Sequence, residues 1–357
     1  MNPPELILIL AALLSVGLVW IDPRGWGQDA VAGVTLATLV AIAPLAALWL
    51  CATTLGSALI MRFCSGQRAL AAGLWSVALA GLLLLLRDLD AIFGVYALWL
   101  GAAYFTLRQI HVVMDWWLAR QPAPTLRQLA RYHLLAPVLF AGPIHRIAHF
   151  ERTLARRCWD AGMFFNGAER ALFGAVLAFV VGEFMYAQVL QALAPFALKT
   201  YFLGLLAHSA MDWVVLYIAF SGLTDLALGL AAMMGLKLEE NFRRPYAAKD
   251  LIDFWQRWHM TLTHWCRDYI YIPVASGLRS PVLGVIAAML VIGLWHETSA
   301  YYVLWAIWQA LGIILTHRFV RPLAVRHWAP LTAIRGMSFL WLALANPIAV
   351  TLIATWS

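Results

Sequence analysis

Charged residues are scarce in this sequence. Only 12% of its 357 residues are Asp, Glu, Lys or Arg, while 63% are hydrophobic, and the mean hydropathy is +0.78. A water-soluble domain cannot bury that much apolar surface. Length alone would favour two soluble domains, but the hydropathy excludes them. We therefore predict one all-α, polytopic integral-membrane domain over residues 1–357.

Lysine is almost absent from the chain. Of 25 basic residues, only Lys199, Lys237 and Lys249 are lysines, which together with the abundant alanine hints at a GC-rich bacterial genome. The net charge of +7 comes from arginines between apolar runs, where anionic lipid headgroups and the positive-inside bias explain them. We therefore predict membrane lipid, and not nucleic acid, as a partner.

Paired cysteines are also lacking. The four cysteines form neither a CxxC pair nor a metal-like spacing, so the sequence predicts neither a disulfide framework nor a cysteine-based metal site. They are Cys51, Cys64, Cys158 and Cys266.

The apolar run from Leu6 to Trp20 follows no basic residue and precedes no small-residue cleavage site. We therefore expect a retained first membrane helix and not a cleaved signal peptide.

Apolar runs of nearly membrane-spanning length fill most of the chain, and we expect about 10–11 transmembrane helices. The predicted spans are 5–21, 29–54, 68–86, 91–114, 170–194, 201–219, 221–236, 281–295, 300–317 and 336–355. Residues 133–143 and 254–275 are apolar or aromatic but interrupted by charge, Pro or Gly, which favours re-entrant or interfacial segments. The basic stretches 120–131 and 146–157 are expected to face the cytoplasm.

Polar residues interrupt the apolar pattern between Phe220 and Trp308. Asp225 falls within a predicted span, where a carboxylate is costly unless it is paired or hydrated. Residues 253–269 combine aromatic rings with two Arg, two Asp and two His. On one continuous helix, Trp255 and His259 would share a face, and Asp253 could pair with Arg257 at i,i+4.

A second polar island, residues 293–298, ends an otherwise apolar run at His296. Burial at the end of that helix would keep the imidazole neutral, as a general base requires. The alternative is a packing or interfacial role, which we assign to most of the ten histidines. A zinc site formed by His259, His264 and His296 is a third possibility, although the pattern is not HExxH and the i,i+5 spacing does not stack on one helix face.

Two motifs carry a resemblance to a known family. The first runs F-W-Q-R-W-H-M-T-L over residues 254–262 and W-C-R-D-Y-I-Y-I-P over 265–273, and the second is G-L-W-H over 293–296. Together they resemble the signature of the membrane-bound O-acyltransferase (MBOAT) family, in the branch of the alginate O-acetyltransferase membrane subunit and the teichoic-acid D-alanyl transfer protein. The resemblance covers about residues 104–308 as a catalytic core, while residues 1–100 match only as generic helices.

The resemblance implies an MBOAT fold and transfer of an acyl group, with acetyl as the first candidate, from a cytoplasmic thioester donor. Acetyl-CoA or an acyl-carrier thioester would be the donor substrate, with no bound cofactor and no metal. The acceptor would be an extracytoplasmic glycan hydroxyl or a relay partner such as a periplasmic SGNH-type transferase, at a bacterial inner membrane. The implied catalytic residues are His296 and His259. The expected supporting residues are Arg257, Asp268, Arg267, Asp225, Asn241, Trp255, Trp258 and Trp295, with Asp225 pairing one of the arginines.

One departure from the pattern is Glu297, which follows His296 where this branch usually has a small residue. Three other functions stay open at this point. A transporter or flippase would use the intramembrane charges as a pathway, and a scaffold of a polysaccharide export machine would tolerate loss of His296. A lipid acyltransferase of the same family would be expected to have a polar residue other than His at position 259.

Overall fold

The computed structural model describes residues 3–22, 26–93, 102–139, 142–192, 195, 201–325 and 330–354. Over these ranges the chain is helical and contains no β-strand, which confirms the expected all-α class. The α-helices are α1 (Pro3–Ile21), α2 (Gly27–Ile42), α3 (Pro44–Phe63), α4 (Arg68–Phe93), α5 (Ala102–Trp117), α6 (Leu126–His133), α7 (Ile147–Ala155), α8 (Ala161–Val176), α9 (Tyr201–Met233), α10 (Leu251–Trp255), α11 (Met260–Cys266), α12 (Ile272–Gly277), α13 (Pro281–His296), α14 (Ala300–Leu315), α15 (Arg321–Val325) and α16 (Leu331–Ala354).

Shorter helical turns connect or extend these helices. The 3-10 turns are Ser65–Gln67, Ala136–Val138 and Pro245–Ala247, and the π-helical turns are Leu177–Gly182, Met185–Leu190, Arg267–Tyr271 and Thr316–Val320. The 3-10 turn at 136–138 lies in the predicted re-entrant segment 133–143, of which residues 140 and 141 lie outside the described ranges.

Several helices are long and apolar enough to cross a membrane. Within the described residues these are Pro44–Phe63, Ser65–Leu85, Ala161–Val189, Phe202–Met233, Ala300–Ala324 and Leu331–Ala354, and shorter apolar helices cover Leu6–Ile21, Gly27–Ile42 and Pro281–His296. The predicted span 91–114 falls partly outside the described ranges. The chain is thus a multi-pass, all-α membrane protein.

Two boundaries differ from the prediction. The segment 29–54 forms two helices, because Pro44 begins α3. A residue before proline is sterically disfavoured in the helical conformation, and Ala43 accordingly has the non-helical angles φ −150° and ψ 67°. Conversely, residues 201–219 and 221–236 were expected as separate spans, but α9 continues through Ser221 and Gly222 to Met233.

Glycine allows close packing of α8 against α9. A Cβ on Gly229 of α9 would lie 2.5 Å from both the backbone nitrogen of Ala171 and the carbonyl oxygen of Gly167 on α8. Such small residues let two helix backbones approach closely within a membrane. The glycines in α9 therefore serve helix packing and do not end the helix.

The chain divides into two compact units. Met1–Val176 with Gly222–Glu239 forms the first, and Leu177–Ser221 with Glu240–Ser357 forms the second. In the first unit, Leu39, Leu50, Phe105 and Leu139 belong to one buried apolar cluster. Both His259 and His296 lie in the second unit. The expectation of one domain over 1–357 stays a prediction.

Candidate active site

His259 lies at a break between two short helices. α10 ends at Trp255 and α11 begins at Met260, and His259 between them has φ 40° and ψ 55°, in the left-handed region. A residue with a Cβ rarely occupies that region, at a cost of about 1–2 kcal/mol. The expectation that Trp255 and His259 share one face of a continuous helix is therefore wrong, since no single helix contains both residues.

Bonds to the preceding loop hold this break in place. The backbone N–H of Met260 donates to the carbonyl oxygen of Asn241 at 2.8 Å, and the Thr261 hydroxyl donates to the Asn241 side-chain oxygen at 2.5 Å. The N–H of Arg243 donates to the carbonyl of Arg257 at 3.0 Å. Asn241 is fully buried, and its bonds to Met260 and Thr261 fix the backbone that follows His259.

The His259 imidazole is enclosed by aromatic rings. Only 3% of the residue is exposed, and its ring centroid lies 4.9 Å from that of Phe220 and 5.7 Å from that of Trp295. Burial, with a smaller effect of the nearby His296, lowers the pKa of His259. The imidazole is therefore neutral at physiological pH and carries one N–H donor and one lone pair.

His296 is the last residue of α13. Glu297 after it is extended, at φ −164° and ψ 145°, and its N–H closes the helix by donating to the Gly293 carbonyl. His296 is exposed, which corrects the expectation of a buried, desolvated imidazole at this helix end. The reason is local: α13 ends at His296, and the short polar connection 297–299 before α14 leaves the last turn of α13 uncovered.

Rings from α13 and α14 fix the orientation of His296. Its ring stacks on Tyr302 at a centroid distance of 5.4 Å and an interplanar angle of 14°, and lies 4.7 Å from Trp295 and 6.0 Å from Trp305. Trp295 thus contacts both histidines, and the two imidazoles belong to one aromatic site.

A glycine brings α14 close to the His296 end of α13. A Cβ on Gly293 would lie 2.6 Å from the Tyr302 carbonyl oxygen and 3.0 Å from the Ala306 Cβ. Only glycine allows this approach without displacement of one helix. Since His296 follows Gly293 by three residues, the contact determines how far its ring lies from Tyr302.

A family model for "MBOAT, membrane-bound O-acyltransferase family" matches residues 101–355 of this chain, which include both histidines. The chain belongs to the MBOAT family.

Named relatives agree with the branch that the two histidine motifs indicated. The chain is 33% identical over 243 residues to a probable alginate O-acetylase from Pseudomonas aeruginosa, covering 63% of this chain and 45% of that protein. It is 25% identical over 247 residues to a teichoic acid D-alanyltransferase from Bacillus subtilis, covering 65% and 62%. Similarity to a peptidoglycan O-acetyltransferase from Helicobacter pylori is 33% over 101 residues, covering 28% and 19%. The chain spans about half the length of the curated relatives it matches.

The expected tryptophans of this MBOAT protein have different surroundings. Trp255 lies 5.9 Å from Trp305, the ring that also contacts His296. Trp258 is buried and stacks on Phe254 at 5.5 Å and 18°, so it packs within the segment that precedes His259. Trp295 contacts both imidazoles, with ring centroids 5.7 Å from His259 and 4.7 Å from His296.

The charged candidates pair mainly with close neighbours. Arg257 Nε lies 2.8 Å from Asp253 Oδ1, which confirms the expected i,i+4 pair. Arg267 pairs with the adjacent Asp268 at 2.9 Å, and its side chain is 57% exposed. Asp225 was expected to pair with Arg257 or Arg267, but it accepts two hydrogen bonds from Arg170, at 2.6 and 2.8 Å, in the first unit.

A small apolar cavity lies beside the aromatic site. It has a volume of about 130 Å³, and its lining includes Trp255, Cys266, Tyr271, Ala288, Met289 and Ile292. Trp255 contacts Trp305, and Trp305 contacts His296, so the cavity borders the aromatic rings that surround His296. Arg267 also lines the cavity, so this partly exposed side chain lies near the aromatic site.

Sequence reasoning missed Tyr302 and Trp305, which contact His296 from α14. The sequence feature that could have indicated them is Ser299, a typical helix N-cap, followed by aromatic residues spaced i and i+3 on the first turns of α14. In the structure the Ser299 hydroxyl accepts a hydrogen bond from the Tyr302 N–H at 3.4 Å.

Among the described residues, no three His, Cys, Asp or Glu side chains are arranged to hold a metal ion, so the geometry gives no support to a zinc site at His259, His264 and His296.

Proposed function

We propose that this chain is a membrane O-acyltransferase that moves a short acyl group, acetyl first among the candidates, from a thioester donor to a hydroxyl acceptor. The observation that carries the proposal is the contact of Trp295 with both His259 and His296. One imidazole is buried and one is exposed within a single aromatic site. Membership of the family and the names of the relatives, which act on alginate, teichoic acid and peptidoglycan, support the same reaction.

His296 is the proposed general base. It is exposed, so an acceptor hydroxyl can approach it, and it ends α13, where the last carbonyls favour the positive charge that a base acquires. The hydroxyl oxygen attacks the thioester carbonyl carbon while His296 takes its proton. The C–S bond then breaks as the tetrahedral intermediate collapses, and the imidazolium returns the proton to the departing thiolate.

His259 is the proposed oxyanion donor. Its neutral imidazole can present an N–H to the carbonyl oxygen as negative charge develops there. A donor already held in a buried, water-poor position is worth about 3–4 kcal/mol of transition-state stabilisation. The left-handed backbone and the bonds to Asn241 would keep that donor in place without reorganisation during the reaction.

The cavity beside Trp255 is the proposed acyl pocket. Its volume of about 130 Å³ suits a short acyl chain, and its walls are almost entirely apolar. The indole N–H of Trp255 has no hydrogen-bond partner among the described residues, so it is available to an acyl carbonyl oxygen. Arg267 at the wall and its neighbour Asp268 are proposed to contact the polar part of the donor.

The proposed acceptor is an extracytoplasmic glycan of a bacterial cell envelope, reached directly or through a periplasmic SGNH-type partner, and the proposed location is the bacterial cytoplasmic membrane. Acetyl-CoA or an acyl-carrier thioester would supply the acyl group from the cytoplasm. Support for these details comes from the envelope polymers named for the relatives.

The test is transfer of radiolabel from acetyl-CoA in membranes that contain the wild type, His296→Ala, His259→Ala or His317→Ala at matched levels. His317 is an exposed histidine on the π-helical turn after α14 and serves as the control. We expect label in a glycan or partner fraction for the wild type and the control only, with losses of about 100-fold or more for the other two. Equal labelling by His296→Ala would refute its role.

A further inference from the structure

The first unit contains a buried basic cluster outside the proposed catalytic site. We call Arg108, His133 and His145 the Arg108 cluster. The Arg108 Cζ lies 5.7 Å from the centroid of the Tyr132 ring, and the His133 and His145 rings lie 4.9 and 4.8 Å from the same ring. Each of these four residues is at most 1% exposed. Three basic side chains thus surround one tyrosine in the interior.

Hydrogen-bond donors in the cluster lack acceptors. Among the described residues, none of the three guanidinium nitrogens of Arg108 has a partner, and neither ring nitrogen of His133 has one. Arginine stays protonated and has five N–H donors, and a neutral histidine has one. Burial of a charged donor without an acceptor costs several kcal/mol, so the cluster needs an occupant that accepts hydrogen bonds.

His145 adjoins the site but is not a ligand of an anion. Its Nδ1 lies 3.2 Å from the carbonyl oxygen of Pro143, and a carbonyl only accepts, so Nδ1 carries the hydrogen. Nε2 of the same ring, which has no partner within the described part of the chain, then carries a lone pair and can only accept a hydrogen bond. Burial lowers the pKa of both His133 and His145. Arg108 is therefore the full positive charge of the cluster.

Nearby carboxylates do not neutralise Arg108. Asp115, also on α5, lies 3.2 Å from Arg120 and 3.3 Å from the His111 ring. In the described ranges no carboxylate oxygen approaches the Arg108 guanidinium within hydrogen-bond distance. Its described ring neighbours, Phe105 and Tyr132, offer cation–π contact only. No anion of the described residues thus contacts the guanidinium, and the carboxylates of Asp115 and Glu239 act on Tyr132 only through longer-range electrostatics.

A cation does not fit this place. The described residues hold no group of three His, Cys, Asp or Glu side chains with metal-binding geometry, and a guanidinium would repel a metal ion. Because Arg108, His133 and His145 are essentially inaccessible, a bulky headgroup with its lipid tails could not enter without opening the unit. We propose that the open donors of Arg108 and His133 form a buried binding site for a small monovalent anion, of the size of chloride or acetate, that completes the core of the first unit.

Thermal unfolding of the intact chain in detergent micelles tests this site. The midpoint is measured in sodium gluconate, whose anion is too bulky, and after stepwise replacement by chloride or acetate at constant ionic strength. We expect chloride, acetate or both to raise the wild-type midpoint by about 3–5 °C, in proportion to the logarithm of the anion concentration above the dissociation constant, as for a ligand that binds only the native state. The anion that is effective at the lower concentration identifies whether the site prefers a halide or a carboxylate.

Two variants locate the response. Arg127→Gln removes an arginine whose side chain is 64% exposed in the same unit, and it should retain the full anion response. Arg108→Gln should abolish it. If Arg108→Gln yields no folded protein, His133→Ala replaces it, with an expected rise of at least about fivefold in the anion dissociation constant that the midpoint shifts yield. A wild-type midpoint independent of the anion, a full response in Arg108→Gln, or an unchanged dissociation constant in His133→Ala would overturn the proposal.

Discussion

Replacement of Gly293 by alanine is the sharpest test of how the His296 site is assembled. The new Cβ would lie 2.6 Å from the Tyr302 carbonyl oxygen and 3.0 Å from the Ala306 Cβ. An ordinary contact begins at about 3.4 Å, so α13 and α14 must separate locally by about 0.8 Å. Both clashing groups belong to a helix backbone or its first side-chain atom, and neither can move away by a change of rotamer.

Two opposing terms decide the effect on stability. Overpacking of a close contact costs about 1–3 kcal/mol, while alanine gains about 1 kcal/mol over glycine in a helix interior. The net loss is therefore about 0–2 kcal/mol, and the variant should fold. Activity responds more strongly, because His296 lies three residues further along the displaced helix. A misplacement of about 1 Å in a reacting group costs on the order of 100-fold, so we expect a 10- to 100-fold loss of transfer.

The measurement is acetyl transfer from labelled acetyl-CoA in membranes, compared with the unfolding midpoint of the purified variant. Gly336→Ala on α16 is the matched control, because a Cβ there meets no atom within 4 Å. It should retain full transfer and be as stable as the wild type or slightly more so. Full activity in Gly293→Ala would show that the distance between α13 and α14 does not position the reacting group.

Three further predictions address other parts of the molecule. His259→Asn should retain stability, because asparagine tolerates the left-handed conformation, yet lose transfer about 100-fold; a melt and the transfer assay check this together. Ala288→Phe should fill the cavity and reduce acetyl transfer at least about 10-fold while the protein stays folded, measured as label per mole of folded protein. Asp225→Asn should lower stability by about 1–2 kcal/mol, because the partly exposed Arg170 loses its ion partner, with little change in transfer per folded molecule.

Hydropathy predicts most of the helices, since a membrane span needs only a sufficiently long apolar run. It fails where length and local signals compete. Residues 29–54 form a long enough run, yet Pro44 divides it. Ser221 and Gly222 suggest a boundary, yet α9 continues through them, because a glycine inside a membrane helix can serve close packing as well as a break.

The pair of histidines could be predicted from two short motifs, but their environments could not. Burial of His259 depends on Phe220 and Trp295, which lie 39 and 36 positions away in the chain. Exposure of His296 depends on where α13 ends. The pair of Asp225 with Arg170 was missed for the same reason: Arg170 is 55 residues away, and sequence spacing carries no information on which arginine faces a given carboxylate.

The unusual backbone of His259 is consistent with the proposed division of tasks between the two imidazoles. A histidine inside a regular helix would continue it, whereas the left-handed His259 is the N-cap residue from which α11 begins, after α10 has ended at Trp255. The cost of about 1–2 kcal/mol is offset by the bonds of Met260 and Thr261 to the buried Asn241. Because strain of this kind persists only when surrounding contacts enforce it, the Asn241 loop and the histidine act as one unit, and a variant at either position should impair the same step of the reaction.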